Sequence, residues 1–415
     1  MRDTFLPLAS PALGEEEIAE VVDSLRSGWI TTGPKVARFE RDFAEAVGAS
    51  AALAVNSCTA ALHLALKVLE VGPGDAVITS PLTFCSGVHV IEHCGAQPVL
   101  ADVEPDTLNL DPHEVRRALA RLAKRSPSTA RPKALLPVHL YGHPCRMGAL
   151  TAIAEEHGLA VIEDAAHALP ARDGRRTIGA PLPCLRVPLV SCFSFYAIKN
   201  LTTGEGGMLT GPPELVEEAR MLSVHGMDRD AWKRYGPGGT WHYEITRPGF
   251  KYNMTDVQAA IGLHQLRKLP RFHARRKQIA RRYTEAFSRI DSLECPAEHD
   301  GVEHAWHIYA LRLRPGRLDL SRNQFIEELR ARNIGTSVHF IPIHFHSYYR
   351  KKYGYQPEDF PIASSQFESL VSLPLSPGMT DQDVEDVIAA VTGIAAGHEL
   401  APPARGLRLA APSSA

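Results

Sequence analysis

Short apolar strands alternate with helical segments through the first 170 or so residues, and this alternation constrains the fold more than any other feature. The predicted strands are residues 51–56, 76–79, 97–102, 134–139 and 159–164. Helical periodicity separates several of them, at residues 59–70, 88–94 and 148–157. Strands and helices in this order predict an α/β fold with a mostly parallel sheet covered on both faces.

Two helical segments precede the first strand. Residues 15–27 place Ile18, Val21, Val22 and Leu25 on one helical face and end before a glycine, which is typical of an amphipathic helix. A second helix brings three apolar side chains to its buried side, namely Val36, Phe39 and Phe43.

A smaller domain follows the sheet. Beyond Met208 the pattern loosens, and residues 225–250 are predicted to form a long functional loop. Thr255 then caps a long, Arg-rich helix. The later strands are predicted at residues 307–313 and 336–340, with helices capped by Ser321 and Thr380. The predicted units are a large domain at 1–254, a small domain at 255–400 and a disordered tail at 401–415.

Composition excludes several classes of protein. The 415 residues are 44% hydrophobic and 22% charged, which suffices for one large core and a smaller one. The formal charge is −2, so nucleic acid and membranes are disfavoured partners. No apolar run of membrane-spanning length and no signal leader is recognised. The seven cysteines are odd in number and scattered, which predicts a reduced, cytoplasmic protein.

Lys199 stands in a context that does not suit a surface lysine. An apolar strand candidate at residues 189–193 precedes it, and a glycine-rich turn at 204–207 follows it. Desolvation lowers the pKa of a lysine, and the neutral amine can then attack a carbonyl group, such as that of pyridoxal phosphate. A snorkelling lysine at a strand end is the alternative.

Asp164 strengthens the first interpretation. It ends the predicted strand at 159–164, and the carboxyl ends of strands in an open α/β sheet line the ligand crevice. Pyridoxal phosphate needs both a lysine for its aldehyde and an acid beside its pyridine nitrogen. An isolated strand-end aspartate is more often a helix cap or a turn former.

Other residues at predicted strand ends suit a cofactor with a phosphate and a ring. Ser57, Cys58 and Thr59 join a strand to a helix start, where free N–H groups bind anions, although a plain helix cap is at least as common. Ser194 offers a further hydroxyl group. Phe84 can stack on a ring, or it can simply be a core residue.

The histidines support several interpretations. His139 and His167 follow strand ends near the same crevice, and either can be a structural histidine. His339, His344 and His346 are close enough in sequence to suggest a metal site, but an Ile-Pro-Ile stretch interrupts them and no cysteine pair accompanies them. We therefore predict no metal.

Together these motifs resemble the DegT/StrS-type sugar aminotransferases, which are fold type I pyridoxal phosphate enzymes. The resemblance runs from about residue 6 to about residue 397. It rests on Thr32-Gly33-Pro34, Asn56-Ser57-Cys58-Thr59-Ala60-Ala61-Leu62, Pro137-Val138-His139-Leu140-Tyr141-Gly142, Glu163-Asp164-Ala165-Ala166-His167, Ser194-Phe195 with Lys199, and Glu205-Gly206-Gly207. Residues 250–256 and the context of Lys199 are most similar to the branch that makes UDP-4-amino-4-deoxy-L-arabinose.

The resemblance implies a fold and roles for individual residues. The fold would be a large domain with a seven-stranded, mostly parallel sheet plus a small C-terminal α/β domain, in a homodimer with shared active sites. Lys199 would bind the cofactor covalently, Asp164 would pair with its pyridine nitrogen, and Phe84 would stack on its ring. His167 replaces a glutamine of many members, near the phenolic oxygen. The phosphate would be held by Ser57, Cys58, Thr59, Ser194 and, across the dimer, Asn253. Candidate substrate residues are Thr31, Thr32, His139, Lys251 and His344.

The activity implied is transfer of an amino group from L-glutamate to a UDP- or dTDP-linked 4-ketosugar, in aminosugar or antibiotic biosynthesis. A 3-ketosugar acceptor stays open. A sugar 3-dehydratase carries a histidine in place of Lys199, and a non-catalytic relative would be expected to lose Lys199 or Asp164. A plain nucleotide-binding module would need a Gly-x-Gly-x-x-Gly turn, which is not found.

Overall fold

The computed structural model describes residues 2–124, 130–227 and 242–400. Its centre is a seven-stranded sheet. The strands are β1 (Ala51–Val55), β2 (Asp75–Thr79), β3 (Gln97–Leu100), β4 (Arg131–Leu136), β5 (Ala160–Asp164), β8 (Leu189–Ser194) and β9 (Gly207–Gly211). Two short strands, β6 (Arg172–Asp173) and β7 (Arg176–Thr177), form a hairpin before β8.

The sheet order is β1-β9-β8-β5-β4-β2-β3. Strand β9 is antiparallel to both of its neighbours, β1 and β8, whereas the remaining pairs are parallel. Six strands therefore point the same way, and their carboxyl ends meet at one edge. The predicted seven-stranded, mostly parallel sheet is confirmed.

Helices cover both faces of this sheet. In chain order they are α1 (Glu15–Ser27), α2 (Pro34–Val47), α3 (Cys58–Val68), α4 (Ser86–His93), α5 (Pro112–Ala123), α6 (Met147–His157) and α7 (Pro213–Ser223). Successive residues of β4 show how the faces divide. Ala134 and Leu136 pack into the core beneath α3, α4 and α7, whereas Leu135 packs into the core beneath α5 and α6.

A long helix leads from the large sheet to a smaller one. Helix α8 (Asp256–Phe287) begins at Thr255, whose side chain accepts a hydrogen bond from the Gln258 N–H. Asp256 also binds three backbone N–H groups at the start of α2, those of Gly33, Lys35 and Val36. One carboxylate thus fixes the start of one helix against the start of another.

The remaining elements surround a three-stranded antiparallel sheet. They are β10 (Leu293–Glu294), β11 (Val302–Glu303), β12 (Tyr309–Leu313), α9 (Arg322–Ala331), α10 (Ser347–Tyr353), α11 (Pro361–Phe367), β13 (Leu370–Leu373) and α12 (Asp381–His398). The sheet order is β10-β12-β13, and β11 pairs instead with β6. Ser321 and Thr380 cap α9 and α12, as predicted. Because α8 packs against α1 and α2 at one end and α12 at the other, the boundary at residue 254 stays a prediction.

Two expectations about secondary structure were wrong. Residues 336–340 are not a strand, since only Ser337 pairs there, in an isolated bridge to Ser372. The chain after Met208 is regular, with β9 and α7 where a loosened pattern was expected. Residues 228–241 and 401–415, which include most of the predicted long loop and the predicted tail, lie outside the described residues.

Helix α1 has the predicted bounds, but its apolar face is the exposed one. Ile18 and Leu25 are 53% and 58% exposed, while Glu17 and Ser24 are buried. Glu17 accepts hydrogen bonds from Gln265 and Lys268 of α8. The polar side of α1 therefore faces the core, and its apolar side faces outward.

Within residues 2–124, 130–227 and 242–400, no helix is both long enough and apolar enough to cross a bilayer.

Candidate active site

The register of four strands brings the predicted site residues together. Gly207, the first residue of β9, lies opposite Val55 on one side and Ser194 on the other. Asp164, at the end of β5, lies opposite Cys192 of β8. The ends of β1, β5 and β8 therefore converge where β9 begins.

The turn from β1 into α3 forms a cradle for an anion. Ser57 is the N-cap of α3, and its hydroxyl accepts a hydrogen bond from the Ala60 N–H at 3.1 Å. The N–H groups of Cys58 and Thr59 have no acceptor among the described residues. Free donors at a helix N-terminus favour a bound phosphate.

Gly207 forms the other wall of this cradle. A Cβ atom on Gly207 would lie 2.5 Å from the Ser57 carbonyl carbon and 2.6 Å from the Cys58 nitrogen. Only glycine lets β9 approach the turn this closely. The glycine-rich segment after Lys199 thus serves the start of α3 rather than the lysine itself.

Lys199 lies in a loop anchored at both ends. Phe195 is fully buried against Phe39 and Phe43 of α2, with ring centroids 5.4 and 5.5 Å away. The Phe195 N–H donates to the Gly206 carbonyl, and the Lys199 N–H donates to the Tyr196 carbonyl. A rigid aromatic anchor therefore positions the turn that carries the lysine.

The Lys199 amine is prepared for nucleophilic chemistry. Its side chain is half-buried, and desolvation lowers its pKa to about 8, although the nearby Cys58 and Asp164 oppose this shift. A substantial fraction of the amine is therefore neutral near physiological pH, as a nucleophile or base requires.

Asp164 has one carboxylate oxygen occupied and one available. Oδ1 accepts a hydrogen bond from the Ala166 N–H at 3.0 Å, whereas Oδ2 has no partner among the described residues. Burial raises the pKa of Asp164 above its ordinary value, and Ala166, Lys199 and His139 act in the opposite direction. A buried carboxylate of this kind suits a cationic partner such as a pyridinium N–H.

Beneath Asp164 lies a closed polar network. The Glu163 carboxylate accepts two hydrogen bonds from Arg176, at 2.8 and 2.7 Å, and one from the Ser191 hydroxyl at 2.5 Å. Burial raises the pKa of Glu163, but the charge of Arg176 and the contact with His139 outweigh it and hold the pKa well below its ordinary value. The network fixes β5 immediately before Asp164.

His139 lies beside this network, and its assignment as a substrate residue stays a prediction that its surroundings do not favour. It is wholly buried, and its Nδ1 accepts the Cys145 N–H at 2.9 Å. Its Nε2 lies 3.3 Å from Glu163 Oε1, outside good hydrogen-bond geometry. His139 therefore packs against Glu163 of β5, next to Asp164.

His167 has a defined tautomer. Its Nδ1 accepts a hydrogen bond from the Tyr141 N–H at 3.2 Å, so the proton of the neutral ring lies on Nε2. Burial, together with the charges of Lys199 and His339, holds the pKa of His167 well below its ordinary value. His167 is thus a neutral hydrogen-bond donor through Nε2.

Phe84 lies beside the same group of rings. Its ring centroid is 5.9 Å from that of Phe340, which stacks on His167 at 5.8 Å. Phe84 is 59% exposed, so much of its ring surface is open to a ligand. Its stacking role remains a prediction.

Two histidines near Lys199 had no place in the predicted site. His307 contacts His167 with ring centroids 4.5 Å apart, and its Nδ1 lies 3.2 Å from Asn200 Oδ1. His339 binds the Ser372 hydroxyl, and burial with the charge of Lys199 lowers its pKa to about 4. His307 follows Trp306 without any local motif, so no feature of the sequence distinguished it from a structural histidine.

Asn253 lies at the end of β1 in its own chain, in an isolated bridge with Val55. Its side-chain amide donates to the Thr32 hydroxyl at 2.7 Å, and Thr32 in turn donates to the Met254 carbonyl at 2.6 Å. Thr31 is exposed beside them, and its carbonyl accepts the Asp256 N–H. Thr32 thus orients Asn253, a function the sequence did not indicate.

The basic candidates divide into three cases. Lys251 is exposed near Asn56, whose side chain donates to the Lys251 carbonyl. Arg247 forms an ion pair with Glu218 at 2.5 Å. Arg229, a further basic residue of the predicted long loop, lies outside the described residues.

The surroundings of His344 do not favour contact with a substrate, and its assignment as a substrate residue stays a prediction. It is fully buried, its Nε2 lies 2.9 Å from the Ser364 hydroxyl, and Phe360 packs beside it. Burial lowers its pKa to about 4, although Asp359 opposes the shift. Among the described residues no group of three or more His, Cys, Asp or Glu side chains is arranged to hold a metal ion.

The chain is similar to known proteins over nearly its whole length. The model of the DegT/DnrJ/EryC1/StrS aminotransferase family matches residues 11–392. The spore coat polysaccharide biosynthesis protein SpsC of Bacillus subtilis is 50% identical over 400 residues, which cover 96% of this chain and 99% of SpsC.

Solved structures agree in fold. Spr1654 from Streptococcus pneumoniae, assigned as a sugar aminotransferase and solved in its PMP form, is 34% identical with a TM-score of 0.85 and 94% and 99% coverage of the two chains. The same protein in its PLP form is 33% identical, again with a TM-score of 0.85, at 95% and 99% coverage. The aminotransferase TlmJ from Streptoalloteichus hindustanus is 34% identical with a TM-score of 0.82, at 94% and 99% coverage.

Proposed function

Because the chain belongs to the DegT/DnrJ/EryC1/StrS aminotransferase family, we propose that it transfers the amino group of L-glutamate to the C4 ketone of a nucleotide-linked sugar. Related structures in PLP and PMP forms identify it as a pyridoxal-phosphate-dependent sugar aminotransferase. One observation carries the assignment to specific residues. Lys199, in the loop after β8, and Asp164, at the end of β5, are close enough to interact through their charges, and both interact with Cys58 of the anion cradle that Gly207 closes.

The residues present fit the cofactor. The free N–H groups of Cys58 and Thr59, with Ser57 and Ser194, would hold its phosphate. The available oxygen of Asp164 would accept the pyridinium N–H. Pyridoxal phosphate supplies the carbonyl that takes up the amino group and a ring that accepts electrons from the reacting carbon.

Lys199 acts first as a nucleophile and then as a base. With a pKa of about 8, its amine can remove the proton from the carbon that bears the donor's amino group. The resulting ammonium can then return a proton during the same half-reaction. With the cofactor bound, Asp164 would keep the ring nitrogen protonated, and the Nε2–H of His167 would be available to the phenolic oxygen.

Three observations bear on the identity of the sugar substrate. SpsC is named for polysaccharide biosynthesis, which favours an activated sugar as acceptor. The exposed Lys251 is available to a diphosphate, whereas Arg247 is already paired. The segment Phe250-Lys251-Tyr252-Asn253-Met254-Thr255-Asp256 favours the 4-ketopentose branch; a 3-ketosugar is the second candidate.

We also propose a homodimer with shared active sites. Large apolar side chains are exposed on and around α1, namely Leu13, Ile18, Leu25, Trp29 and Ile30. A second copy of the chain would remove this surface from water. Thr32 follows this surface in sequence and binds the Asn253 amide, and Asn253 would then reach the partner's cofactor. The free cysteines suit a reducing compartment such as the cytoplasm.

The test uses enzyme in its pyridoxamine phosphate form and a panel of UDP- and dTDP-linked 3- and 4-ketosugars. Amination is followed by recovery of the pyridoxal phosphate absorbance and by mass spectrometry of the sugar. We expect the 4-ketosugars to react, and the matching free sugars to react much more slowly, because the nucleotide contributes binding energy that orients the ketone. Equal kcat/KM for free and nucleotide-linked sugars would exclude the nucleotide-linked substrate.

A further inference from the structure

Asn200, the residue after Lys199, has both ends of its side-chain amide engaged in hydrogen bonds. It is 6% exposed. Its side-chain nitrogen donates to the carbonyl oxygens of Leu169 and Ala305, both at 2.8 Å. Those two acceptors consume both amide hydrogens, which fixes the amide orientation and leaves Oδ1 as an acceptor only.

This arrangement determines the tautomer of His307. Oδ1 of Asn200 lies 3.2 Å from His307 Nδ1, so Nδ1 must carry the hydrogen. The neutral ring then has an unprotonated Nε2. His167 is the opposite case, because its Nδ1 accepts the Tyr141 N–H and its Nε2 carries the hydrogen. Two touching imidazoles therefore have complementary tautomers, one a donor and one an acceptor through Nε2.

His307 also borders the candidate active site, because its ring contacts His167 and it interacts with the charge of Lys199. It lines a small cavity together with Ile198, which precedes Lys199, and with His339 and Leu8. It is 5% exposed, and burial, then the charge of Lys199, holds its pKa well below the ordinary value. His307 thus stays a neutral acceptor beside a group of donors.

We propose that Asn200 is a positioning residue that holds His307 in its Nδ1–H tautomer and so provides the acceptor for a hydroxyl group of the sugar substrate. The proposal rests on the sugar aminotransferase function given above. A ketosugar presents hydroxyl groups as well as its ketone, and each buried hydroxyl needs an acceptor. The nearby Lys199 ammonium and His167 Nε2–H can only donate. His307 Nε2 is the hydrogen-bond acceptor that these two groups cannot provide.

The first test measures the tautomer directly and does not depend on activity. Histidine labelled with ¹⁵N and ¹³C reports in NMR spectra which ring nitrogen carries hydrogen, and the His307 signal is assigned by its loss in His307→Gln. We expect the Nδ1–H form at pH 7. In Asn200→Asp the carboxylate should draw a second proton onto the His307 ring. An Nε2–H tautomer in the wild-type protein would overturn the proposal. So would a His307 ring that has the same protonation state in Asn200→Asp as in the wild-type protein.

Asn109 provides a matched control. It is 1% exposed, its amide also donates to two carbonyl oxygens, those of His143 and Pro144, and its Oδ1 accepts the Leu140 N–H rather than a histidine. Asn109→Asp therefore carries a similar structural cost without touching His307. We expect its His307 signal to match that of the wild-type protein. If Asn109→Asp changed the protonation of the His307 ring as Asn200→Asp does, the cause would be general destabilisation and the proposal would be wrong.

The second test separates the two half-reactions in single turnovers. Asn200→Asp should slow the ketosugar half-reaction about tenfold and the glutamate half-reaction by less than about threefold, because only the sugar uses the acceptor. An equal loss of rate in the two half-reactions would overturn the role of His307 but would not contradict the proposed aminotransferase function. If no ketosugar reacts with wild-type enzyme, the proposed function and the hydroxyl-acceptor role fail together, while the tautomer measurement still reports on the Asn200–His307 pair.

Two substitutions of His307 test the acceptor role without relying on the Asn200 variant, which could fail to fold. A glutamine at 307 places a carbonyl oxygen near the position of Nε2, whereas an asparagine reaches only the position of Nδ1. His307→Gln should therefore keep more of the ketosugar half-reaction than His307→Asn. The reverse order would contradict the acceptor role.

Discussion

The backbone of Gly207 lies against that of Ser57, so closely that a single added methyl group would be 2.5 Å from the Ser57 carbonyl carbon. This contact joins β9, which follows the Lys199 loop, to the helix start that would bind the phosphate. Gly207→Ala should therefore distort the cradle and weaken pyridoxal phosphate binding about tenfold or more.

Gly148→Ala is the matched control for this substitution, because nothing lies within 4 Å of the added methyl group. Titration of each apoenzyme with the cofactor, followed by absorbance, measures the affinity. Equal affinities for the two variants would show that the close approach of Gly207 does not shape the site.

Lys199 should destabilise the apoenzyme at neutral pH. Its pKa falls from 10.5 to about 8 on folding because of burial, so between these values the unfolded chain holds more protons than the folded one. Lys199→Met should be more stable than wild type at pH 7, and the difference should shrink as the pH rises from 8 towards 10.5. Urea unfolding of both apoenzymes across this range measures the effect. A difference that is independent of pH would contradict the lowered pKa.

The buried His344 should make the protein sensitive to acid. Its pKa in the folded state is about 4 against an ordinary 6.5, so its contribution to stability is complete above pH 6.5 and is lost as the pH falls towards 4. His344→Gln should lower the pH dependence of the unfolding free energy by about 1.4 kcal/mol per pH unit in this window. Unfolding curves at pH 7, 6 and 5 provide the comparison, and parallel curves for the two proteins would refute it.

The proposed dimer predicts complementation between two inactive chains. Asn253→Asp should weaken cofactor binding, since a carboxylate facing a phosphate replaces a hydrogen bond with repulsion. In hybrids with Lys199→Ala chains, one site receives both changes and the other receives neither. With random exchange at equal amounts, about a quarter of wild-type activity should return if the sites are independent.

Subunit exchange is verified by mass spectrometry of tagged chains. Thr32→Val serves as the control, because it removes the same-chain hydrogen bond to Asn253 without adding charge. Hybrids that form and stay inactive would place Lys199 and Asn253 at the same chain's site.

Much of the fold could be predicted from the sequence, because strand and helix periodicity is local. The sequence also predicted that several candidate cofactor residues lie close together, because strand ends in a parallel sheet meet at one edge. The pairing of Asp164 with Cys192 and of Gly207 with Ser194 brought the predicted ends together. What local patterns did not reveal was the direction in which each side chain points. His139 and His344 are fully buried against protein groups, and His307 contacts His167 although no local motif indicated it.

Helix α1 shows the same limit in another form. Its apolar face is exposed in the single chain, because its polar face binds α8 through Glu17. Periodicity identifies an apolar face but does not say whether its own chain or another chain covers it.

The most direct test of the account is where the cofactor attaches. Enzyme loaded with pyridoxal phosphate is reduced with borohydride and digested, and the peptides are analysed by mass spectrometry. The account predicts that the cofactor's mass is fixed on the peptide that contains Lys199, that transamination is lost with it, and that folded Lys199→Ala protein acquires no label and no activity. Label on another lysine, or full activity in Lys199→Ala, would contradict it.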